Sequence, residues 1–492
     1  MWNEFEEPVS LPEPPEKKRR FWWILISFIL IIALLGSSVG GMFWIWQFWR
    51  SQTAVSAITQ SSIQEEIEPT AEIRPTETVE EEALMEATVP PVPTSPPLVN
   101  NRIVFVNLQG RIGTVAPTGE DEHILTSGNR RYVFPAWSPD GESVASIGVD
   151  SQGATIDVLA DESDAEVVEV YSSRSESPFY IYWSPDSQQI SFLASHPREP
   201  MALHVVDSGG DSDSQMITTG GPFYWAWDPD SSQMLVHTGF AGDDAKLTFV
   251  EPDGAVADDN LAAPGYFQVP GISADGRFVA YAEETRKGSR IVVTNQASGD
   301  QFSEAHGGIA AMSWSPVANQ LAFINNPQPE GTGFVGPLQM IDAETNEVTL
   351  LSREPVLAFF WSPSGRYLLY MSYAGNRSSD ANASRPAAPQ RGAFFKPAQQ
   401  FGRPEFDIVL IDTTTGNGQI LMQKVEFSRI FFTQFLPFFN QYSLSHQIWS
   451  PESDAVVLPF IMDNREIIAI LNVNGGRLQP LTNGEIAFWS HQ

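Results

Sequence analysis

Histidine, aspartate and cysteine are the residue types that most often carry out catalysis or bind a metal. The sequence has no cysteine, which excludes disulfides, thiolate nucleophiles and cysteine-ligated metals. Asp207, Asp211 and Asp213 crowd one predicted turn, but they do not match the calcium-loop pattern, so a solvated turn is the preferred interpretation. No H-E-x-x-H motif and no pair at ligand spacing occurs among the seven histidines, His123, His196, His204, His237, His306, His446 and His491. We therefore predict no metal and no cofactor.

Two glycine motifs resemble catalytic signatures, and neither has the context it needs. Residues 36–40 match G-x-S-x-G, yet they lie in a long apolar stretch rather than at a strand-to-helix turn of an α/β sheet. Residues 331–336 match G-x-G-x-x-G, but prolines flank them where a strand and a helix would be required. With no nucleophile–base pair and no metal constellation, we predict that the protein is not an enzyme.

The elements that would have to position any site are short strands separated by a repeated turn motif. Its fullest copy is Trp137-Ser138-Pro139-Asp140-Gly141, in which Ser, Pro and Gly suit successive positions of a type I turn and Trp anchors a core. Copies begin 42 to 47 residues apart, with one interval of 88, at Trp137, Trp183, Trp227, Ile272, Trp314, Trp361 and Trp449. A period of this size is typical of β-propeller blades.

Strands of alternating apolar residues follow these turns and predict an all-β fold, as in 189–195 and 320–325. The first unit, from residue 101 to 127, lacks a signature of its own. The chain ends with residues 486–490, which read as the missing strand and carry Trp489 as an eighth signature. Joining the two termini would close the ring and hide the edges of an open sheet. We predict eight blades, with seven as the alternative because of the 88-residue interval.

These signatures resemble the WD40-like (PD40) repeats of TolB-type β-propellers, over roughly residues 101–492. The resemblance implies a β-propeller fold. For function, it implies the protein–protein contacts through which the periplasmic members of that family act. This chain shows no separate α/β domain before its repeats, and carries an apolar segment and an acidic stretch there instead.

Residues 21–49 are apolar or small almost throughout, and about 20 such residues suffice to cross a membrane. Basic residues precede this stretch and an acidic run follows it, which places residues 1–20 in the cytoplasm and the remainder outside. A cleaved signal peptide is the alternative, although its apolar region is only about 7–15 residues long. Gly36 and Gly40 also form a G-x-x-x-G motif, which would allow two such helices to dimerise.

Residues 50–100 are acidic and rich in proline and threonine, a composition that buries too little apolar surface to fold. We predict an extended linker between the membrane and the propeller. The whole chain has 28 Lys and Arg against 60 Asp and Glu, a formal net charge of −32. Nucleic-acid binding requires a basic surface, so the composition argues against it.

Two insertions interrupt the repeats and are candidate binding regions. Residues 375–404 form a basic, Ala- and Pro-rich loop that is either a contact for an anionic partner or a plain spacer. Its cations are Arg377, Arg385, Arg391, Lys396 and Arg403. Residues 425–445 are dense in aromatic side chains, which either cap the propeller or form a binding patch. The candidate patch consists of Phe431, Phe432, Phe435, Phe438 and Phe439.

The sequence therefore predicts a single-pass membrane protein whose extracytoplasmic β-propeller is a non-catalytic scaffold for a protein or a cell-envelope polymer. One alternative is a hydrolase or lyase with its site in the central channel. Another is a ligand sensor that signals through a membrane partner, because residues 1–20 are too few for an output domain. A co-purifying protein would favour the scaffold, whereas turnover of a small substrate would favour the enzyme.

Overall fold

The computed structural model describes residues 101–162, 166–239, 245–256, 261–262, 264–265, 269–285, 288–307, 310–325, 335–374 and 403–491. The predicted cytoplasmic tail (1–20), transmembrane helix (21–49) and linker (50–100) lie outside these ranges. Within the ranges, no helix combines the length and the apolar character needed to span a bilayer.

Each repeat unit begins with a strand that ends at a signature turn, and the turn residues hold one another in place. Ser138 Oγ donates to Asp140 Oδ1 at 2.5 Å and accepts the backbone N–H of Ser143 at 3.0 Å. Gly141 has a φ of 73°, a left-handed conformation that glycine adopts without steric cost. The Ser-Pro-Asp-Gly sequence thus turns the chain by purely local interactions, and it can do so wherever the motif recurs.

The described residues form 29 strands, numbered along the chain, which pair antiparallel in seven sheets. One sheet of seven strands joins two repeat units, so there are eight units, each written here from its signature strand outward. Unit 1 contains β29 (Ile486–Trp489), β1 (Ile103–Val106), β2 (Ile112–Val115) and β3 (His123–Ile124). Unit 2 contains β4 (Arg131–Trp137), β5 (Ser143–Asp150), β6 (Gly153–Ala160) and β7 (Val168–Ser173). Unit 3 contains β8 (Pro178–Trp183), β9 (Gln189–Ala194), β10 (Met201–Asp207) and β11 (Gln215–Gly220).

The next units follow the same order. Unit 4 contains β12 (Phe223–Trp227), β13 (Met234–Thr238) and β14 (Lys246–Val250). Unit 5 contains β15 (Gly271–Ile272), β16 (Phe278–Thr285), β17 (Gly288–Asn295) and β18 (Gln301–His306). Unit 6 contains β19 (Ala311–Trp314), β20 (Gln320–Ile324), β21 (Gly336–Asp342) and the first part of β22 (Glu347–Trp361). Unit 7 contains the last part of β22, β23 (Tyr367–Tyr373), β24 (Phe406–Asp412) and β25 (Asn417–Val425).

Unit 8 contains β26 (Ala455–Met462), β27 (Arg465–Asn472) and β28 (Leu478–Asn483), and Trp449 joins it through a bridge to Val456. The only helical segment among the described residues lies between units 7 and 8. It consists of a π-helical turn (Phe431–Phe435), a 3-10 turn (Leu436–Phe438) and helix α1 (Phe439–Ser445). The all-β prediction is confirmed.

Unit 1 is assembled from both ends of the described chain. Strand β29 pairs antiparallel with β1, so that Ile103 lies opposite Trp489 and Val106 lies opposite Ile486. Trp489 Nε1 also donates to Asn101 Oδ1 at 2.6 Å. Unit 1 packs against unit 8 through a shared apolar cluster and against unit 2 through β4. The units therefore form a closed ring.

Because successive side chains of a strand point to opposite faces, a sheet packed between two others needs apolar residues on both faces. Strand β9 shows this pattern, with five consecutive buried residues after Gln189. Ala136 of unit 2 and Ile190 of unit 3 belong to one apolar cluster, and Ala226 of unit 4 and Val279 of unit 5 belong to another. Smaller apolar clusters thus lie at seams between neighbouring units, while the largest cluster joins most of the units and includes Phe431, Phe435 and Phe439.

Alternating strand directions give the ring two faces. We call the end that carries the signature turns the turn face and the opposite end the insertion face. Asn101 lies on the turn face, where its side chain donates to Glu452 at 3.2 Å. The chain leaves unit 7 at Ala374 and re-enters it at Arg403 on the insertion face, because Tyr373 pairs with Phe406 there. Both insertions therefore emerge on the face opposite the one at which residue 101 enters.

Candidate functional site

The segment from Phe427 to His446 passes from unit 7 into the middle of the ring. Its helix α1 packs against β8, β12, β19 and β22, which supply the signature strands of units 3, 4, 6 and 7. A helix that touches signature strands of four units, on different sides of the ring, must lie in the central channel. The chain therefore fills its own channel.

Aromatic side chains make the apolar contacts between this segment and the strands around the channel. Phe431, Phe435 and Phe439 are fully buried. The ring of Phe439 lies 5.3 Å from that of Phe359, and the ring of Phe435 lies 5.4 Å from that of Phe488. These tilted and edge-on pairs are favourable aromatic geometries, and each large ring removes a substantial apolar area from water.

A buried polar network fixes the position of helix α1. Gln441 Oε1 accepts the backbone N–H of Trp225, and Gln441 Nε2 donates to the Trp225 carbonyl, both at 3.2 Å. Gln441 Nε2 also donates to the Tyr180 hydroxyl at 3.0 Å. The side chains of Gln441 and Tyr180 are about 95% buried, so their polar groups would be costly if unpaired. The network specifies one seating of the helix in the channel.

Ser445 and His446 form a hydroxyl–imidazole pair that was not predicted from the sequence. Ser445 Oγ lies 2.6 Å from His446 Nδ1 and 2.8 Å from the Tyr180 hydroxyl, while His446 Nε2 lies 3.3 Å from the Phe134 carbonyl oxygen. A serine beside a histidine is the arrangement of a nucleophile and its base. Here only 4% of Ser445 and 2% of His446 are exposed, so a substrate could not reach them. The pair is structural.

Burial lowers the pKa of His446 to about 3, against an ordinary value of 6.5. The imidazole is therefore neutral in the folded protein at pH 7. In the unfolded chain it takes up a proton as the pH falls through 6.5, whereas the folded protein does not until about pH 3. The contribution of His446 to stability is complete above pH 6.5 and is lost progressively as the pH falls toward 3.

We expect this titration to cost the protein about 2 kcal/mol of unfolding free energy between pH 7 and pH 5. Urea unfolding of the natural protein and of His446→Gln at both pH values measures it. The variant should be less stable at pH 7 but should lose less stability on acidification, because its amide does not titrate. An equal loss in the two proteins would show that His446 is not the group responsible.

The structure places the predicted binding residues in different environments. Arg377, Arg385, Arg391 and Lys396 lie outside the described residues. Arg403 is exposed on the insertion face, with Nη1 3.7 Å from Glu426 Oε2. In the predicted aromatic patch, Phe432 and Phe438 are partly buried, while Phe431, Phe435 and Phe439 are buried completely and present no surface to a partner.

Some signature tryptophans hydrogen-bond across the seams between units, whereas the indole N–H groups of Trp137 and Trp314 have no partner in the structure. Trp183 Nε1 donates to the Ala136 carbonyl of the preceding unit at 3.1 Å, and Trp449 Nε1 donates to that of Phe360 at 3.2 Å. We call this the tryptophan link. Trp361 is partly buried, and the other members of the set are buried, namely Trp137, Trp183, Trp227, Trp314, Trp449 and Trp489.

A second link across the seams was not predicted from the sequence. The backbone N–H of Asp140 donates to Ser187 Oγ of the next unit at 3.1 Å, and that of Asp186 donates to Ser231 Oγ at 3.0 Å. Ser187 and Ser231 stand where the full motif has glycine, and they keep its left-handed conformation, with φ of 63° and 64°. We call this the serine link. A serine at the glycine position was the available signal.

Both faces carry exposed charges of both signs, and the turn face also carries Arg277, Arg366 and Arg477. Exposed carboxylates stand on the signature turns themselves, at Asp140, Asp186, Asp230 and Asp275. The insertion face and its margin carry the exposed arginines Arg198, Arg353, Arg403, Arg429 and Arg465. In the described part of the chain no group of three or more His, Asp or Glu side chains is arranged to hold a metal ion.

A closed ring of antiparallel sheets, each of three or four strands, around a central channel is the architecture of a β-propeller. No family model and no curated protein matches the chain. Similar solved structures include TolB from Acinetobacter baumannii, with 13% identity and a TM-score of 0.38, over 79% of this chain and 66% of that one.

Two further similar structures are enzymes by name. Dihydro-heme d1 dehydrogenase NirN has 13% identity and a TM-score of 0.49, over 81% of this chain and 77% of that one. Oligogalacturonate lyase from Vibrio parahaemolyticus has 13% identity and a TM-score of 0.45, over 76% and 97%. Identities this low leave the function to be argued from the chain's own residues.

Proposed function

We propose that the protein is an eight-bladed, membrane-anchored propeller that acts outside the cytoplasm as a non-catalytic scaffold. Residues 21–49 provide the anchor in this proposal, and residues 50–100 hold the propeller away from the membrane. The observation that carries the proposal is the filled channel. A channel-site hydrolase or lyase needs an accessible cavity there, and helix α1 with its buried aromatic residues occupies that space.

The insertion face is the binding face in this proposal. It lies opposite the end at which residue 101 joins the ring. It also carries the exposed arginines and the two ends of the basic insertion. The turn face, where residue 101 enters the ring, carries exposed aspartates on its signature turns. A protein or an envelope polymer with anionic groups fits this arrangement.

Replacing residues 377–402 by a Gly/Ser linker of equal length tests the proposal. The full-length protein, purified in detergent and immobilised, is exposed to an envelope extract of its source at low salt. The natural chain should retain a partner that high salt releases, because charge attraction at an exposed loop is screened. The linker variant should retain at least tenfold less. Its melting temperature should not change, because a loop of equal length leaves the free energy of loop closure almost unaltered.

A control variant distinguishes an effect of the basic loop from a general effect of lost positive charge. Arg477 is exposed on the turn face, so Arg477→Ser removes a cation from the face opposite the basic insertion. We expect this variant to capture the partner as well as the natural chain does. Equal capture by all three proteins would remove the loop from the proposal, and turnover of a small molecule by the purified chain would remove the scaffold.

A further inference from the structure

An acidic groove lies on the turn face at the seam between units 2 and 3. Its volume is about 330 Å³, within the range of about 300–1,000 Å³ that is usual for small-ligand sites. Unit 2 contributes Asp140 from its signature turn and Glu166 from the hairpin between β6 and β7, and unit 3 contributes Ser187 and Ser208. Asp140 and Glu166 are exposed, so their carboxylates are accessible to a ligand. We call this the unit 2–3 groove.

Apolar side chains line the unit 2–3 groove beside the two carboxylates. Val158 and Trp183 are buried, while Ala160 and Val168 are exposed at the groove. A chain of methylene groups can lie on such a surface and carry a charged end group to the water. The groove therefore offers apolar contact and negative charge to the same ligand.

The unit 2–3 groove has no cation of its own. Its lining residues include no Lys, Arg or His. The turns of units 2 and 3 on this face contain none either, in residues 138–142, 161–167, 184–188 and 207–214. Among the described acidic residues of these turns, only Asp161 has an ion-pair partner, which is Arg102 of unit 1. The carboxylates at the groove are therefore available to a cation from outside the chain.

A second groove on the turn face shows how the chain can supply such a cation itself. It lies at the seam between units 4 and 5, where three aspartates line it together with Arg277. Arg277 Nε lies 2.6 Å from Asp275 Oδ2. The equivalent position at the unit 2–3 groove is Gln188, because it follows Ser187 as Arg277 follows Gly276. A neutral amide thus stands where the other groove has a guanidinium.

We propose that the unit 2–3 groove binds an arginine or lysine side chain on the surface of a partner protein. The aliphatic part of that side chain lies against Ala160 and Val168, and its cation pairs with Asp140 and Glu166. The partner supplies the charge that Arg277 supplies to the other groove. This site goes beyond the role proposed for the insertion face and shares no residue with it.

The probe is a dye-labelled heptapeptide with one arginine between two leucines, and fluorescence anisotropy with the full-length protein in detergent measures its affinity. A peptide with citrulline in place of arginine has nearly the same shape and no charge, and we expect it to bind at least tenfold more weakly at low salt. High salt should reduce this difference, because it screens the charges. Glu166→Gln removes one carboxylate from the groove and should weaken binding of the arginine peptide about fivefold, the effect of one ordinary hydrogen bond.

Two further variants test whether the groove itself is responsible. Glu162→Gln is the matched control, because Glu162 is exposed on the same hairpin as Glu166 but does not line the groove. It should bind the arginine peptide as tightly as the natural chain does. Gln188→Arg supplies the cation that unit 5 has, and it should weaken binding at least tenfold without changing the melting temperature.

Three results would overturn the proposal. The first is the absence of measurable binding by the natural chain at millimolar peptide, and the second is binding that Gln188→Arg leaves unchanged. The third is an equal loss in Glu162→Gln and Glu166→Gln, which would show only a general attraction to a negatively charged protein. None of these variants alters residues 377–402, so each of these results leaves the proposal for the insertion face intact.

Discussion

Deleting residues 486–492 should leave the ring unable to close and should abolish cooperative unfolding above room temperature. Ile486, Phe488 and Trp489 are at most 2% exposed. Burying one large apolar side chain is worth about 1.5–3 kcal/mol. The three together therefore approach the whole stability of a domain, which is about 5–15 kcal/mol. The loss is compounded because β1 would become an open strand edge between units 8 and 1.

Strand β29 also touches the channel filling, which extends the expected effect beyond unit 1. The ring of Phe488 lies 5.4 Å from that of Phe435 and 4.6 Å from that of His446. Thermal unfolding and size-exclusion chromatography measure the result, with a chain that lacks only Gln492 as the control. The control should melt like the natural protein. Unchanged melting after the full deletion would mean that β29 does not close the ring.

The local chemistry of the signature turn made most of the fold predictable. The residue types of the motif Trp-Ser-Pro-Asp-Gly favour a type I turn, and the spacing between copies gives the size of a repeat unit. The join between the two termini could also be predicted, because residues 101–127 lack a signature and residues 486–490 supply one. Strand pairing assigns the 88-residue interval to unit 7 with its two insertions, Ala374 to Arg403 and Phe427 to His446. Insertions conceal a period without changing the fold.

The candidate site was less predictable, because its contacts join residues far apart in the chain. A run of phenylalanines indicates burial or a binding surface equally well. Contacts between distant residues, such as those of Gln441 with Tyr180 and Trp225 more than 200 positions away, show that the run enters the channel. The same holds for the serine link, in which Asp140 meets Ser187 of the next unit. Neither pairing has a periodic or local signature.

Arg130 forms ion pairs with acidic residues on three strands of unit 2, an arrangement that no sequence pattern predicts. We call this set of ion pairs the Arg130 clasp. Arg130 Nη1 lies 2.7 Å from Asp157 Oδ2, its Nε 3.3 Å from Asp150 Oδ2 and its Nη2 3.2 Å from Glu169 Oε2. The guanidinium crosses the sheet over Gly148, where a Cβ would stand only 2.4 Å from Arg130 Cδ. Burial opposes the charge of Arg130, but the hydrogen bond and charge of Asp157 outweigh it and raise the pKa of the guanidinium.

The burial of Asp157 determines how much the Arg130 clasp contributes to the free energy of unfolding. The Asp157 side chain is completely inaccessible to solvent, and its Oδ2 also accepts the Tyr132 hydroxyl at 2.8 Å. Removing the cation leaves a buried carboxylate without its counter-charge, which costs about 3–5 kcal/mol. A surface ion pair, by contrast, contributes at most about 1 kcal/mol. The natural contrast in the same chain is Arg277, whose side chain is 52% exposed beside Asp275 and Glu344.

We therefore expect Arg130→Met to lower the unfolding free energy by about 3–5 kcal/mol, measured by urea unfolding at pH 7. Arg277→Met is the matched control and should leave the unfolding free energy nearly unchanged, because solvent screens an exposed ion pair. Adding Asp157→Asn to Arg130→Met should restore much of the loss, because the amide removes the buried charge and still accepts the Tyr132 hydroxyl. If Arg130→Met proved no more damaging than Arg277→Met, the clasp would be an ordinary surface pair. If the second substitution deepened the loss, the cost would lie in packing rather than in the unpaired charge.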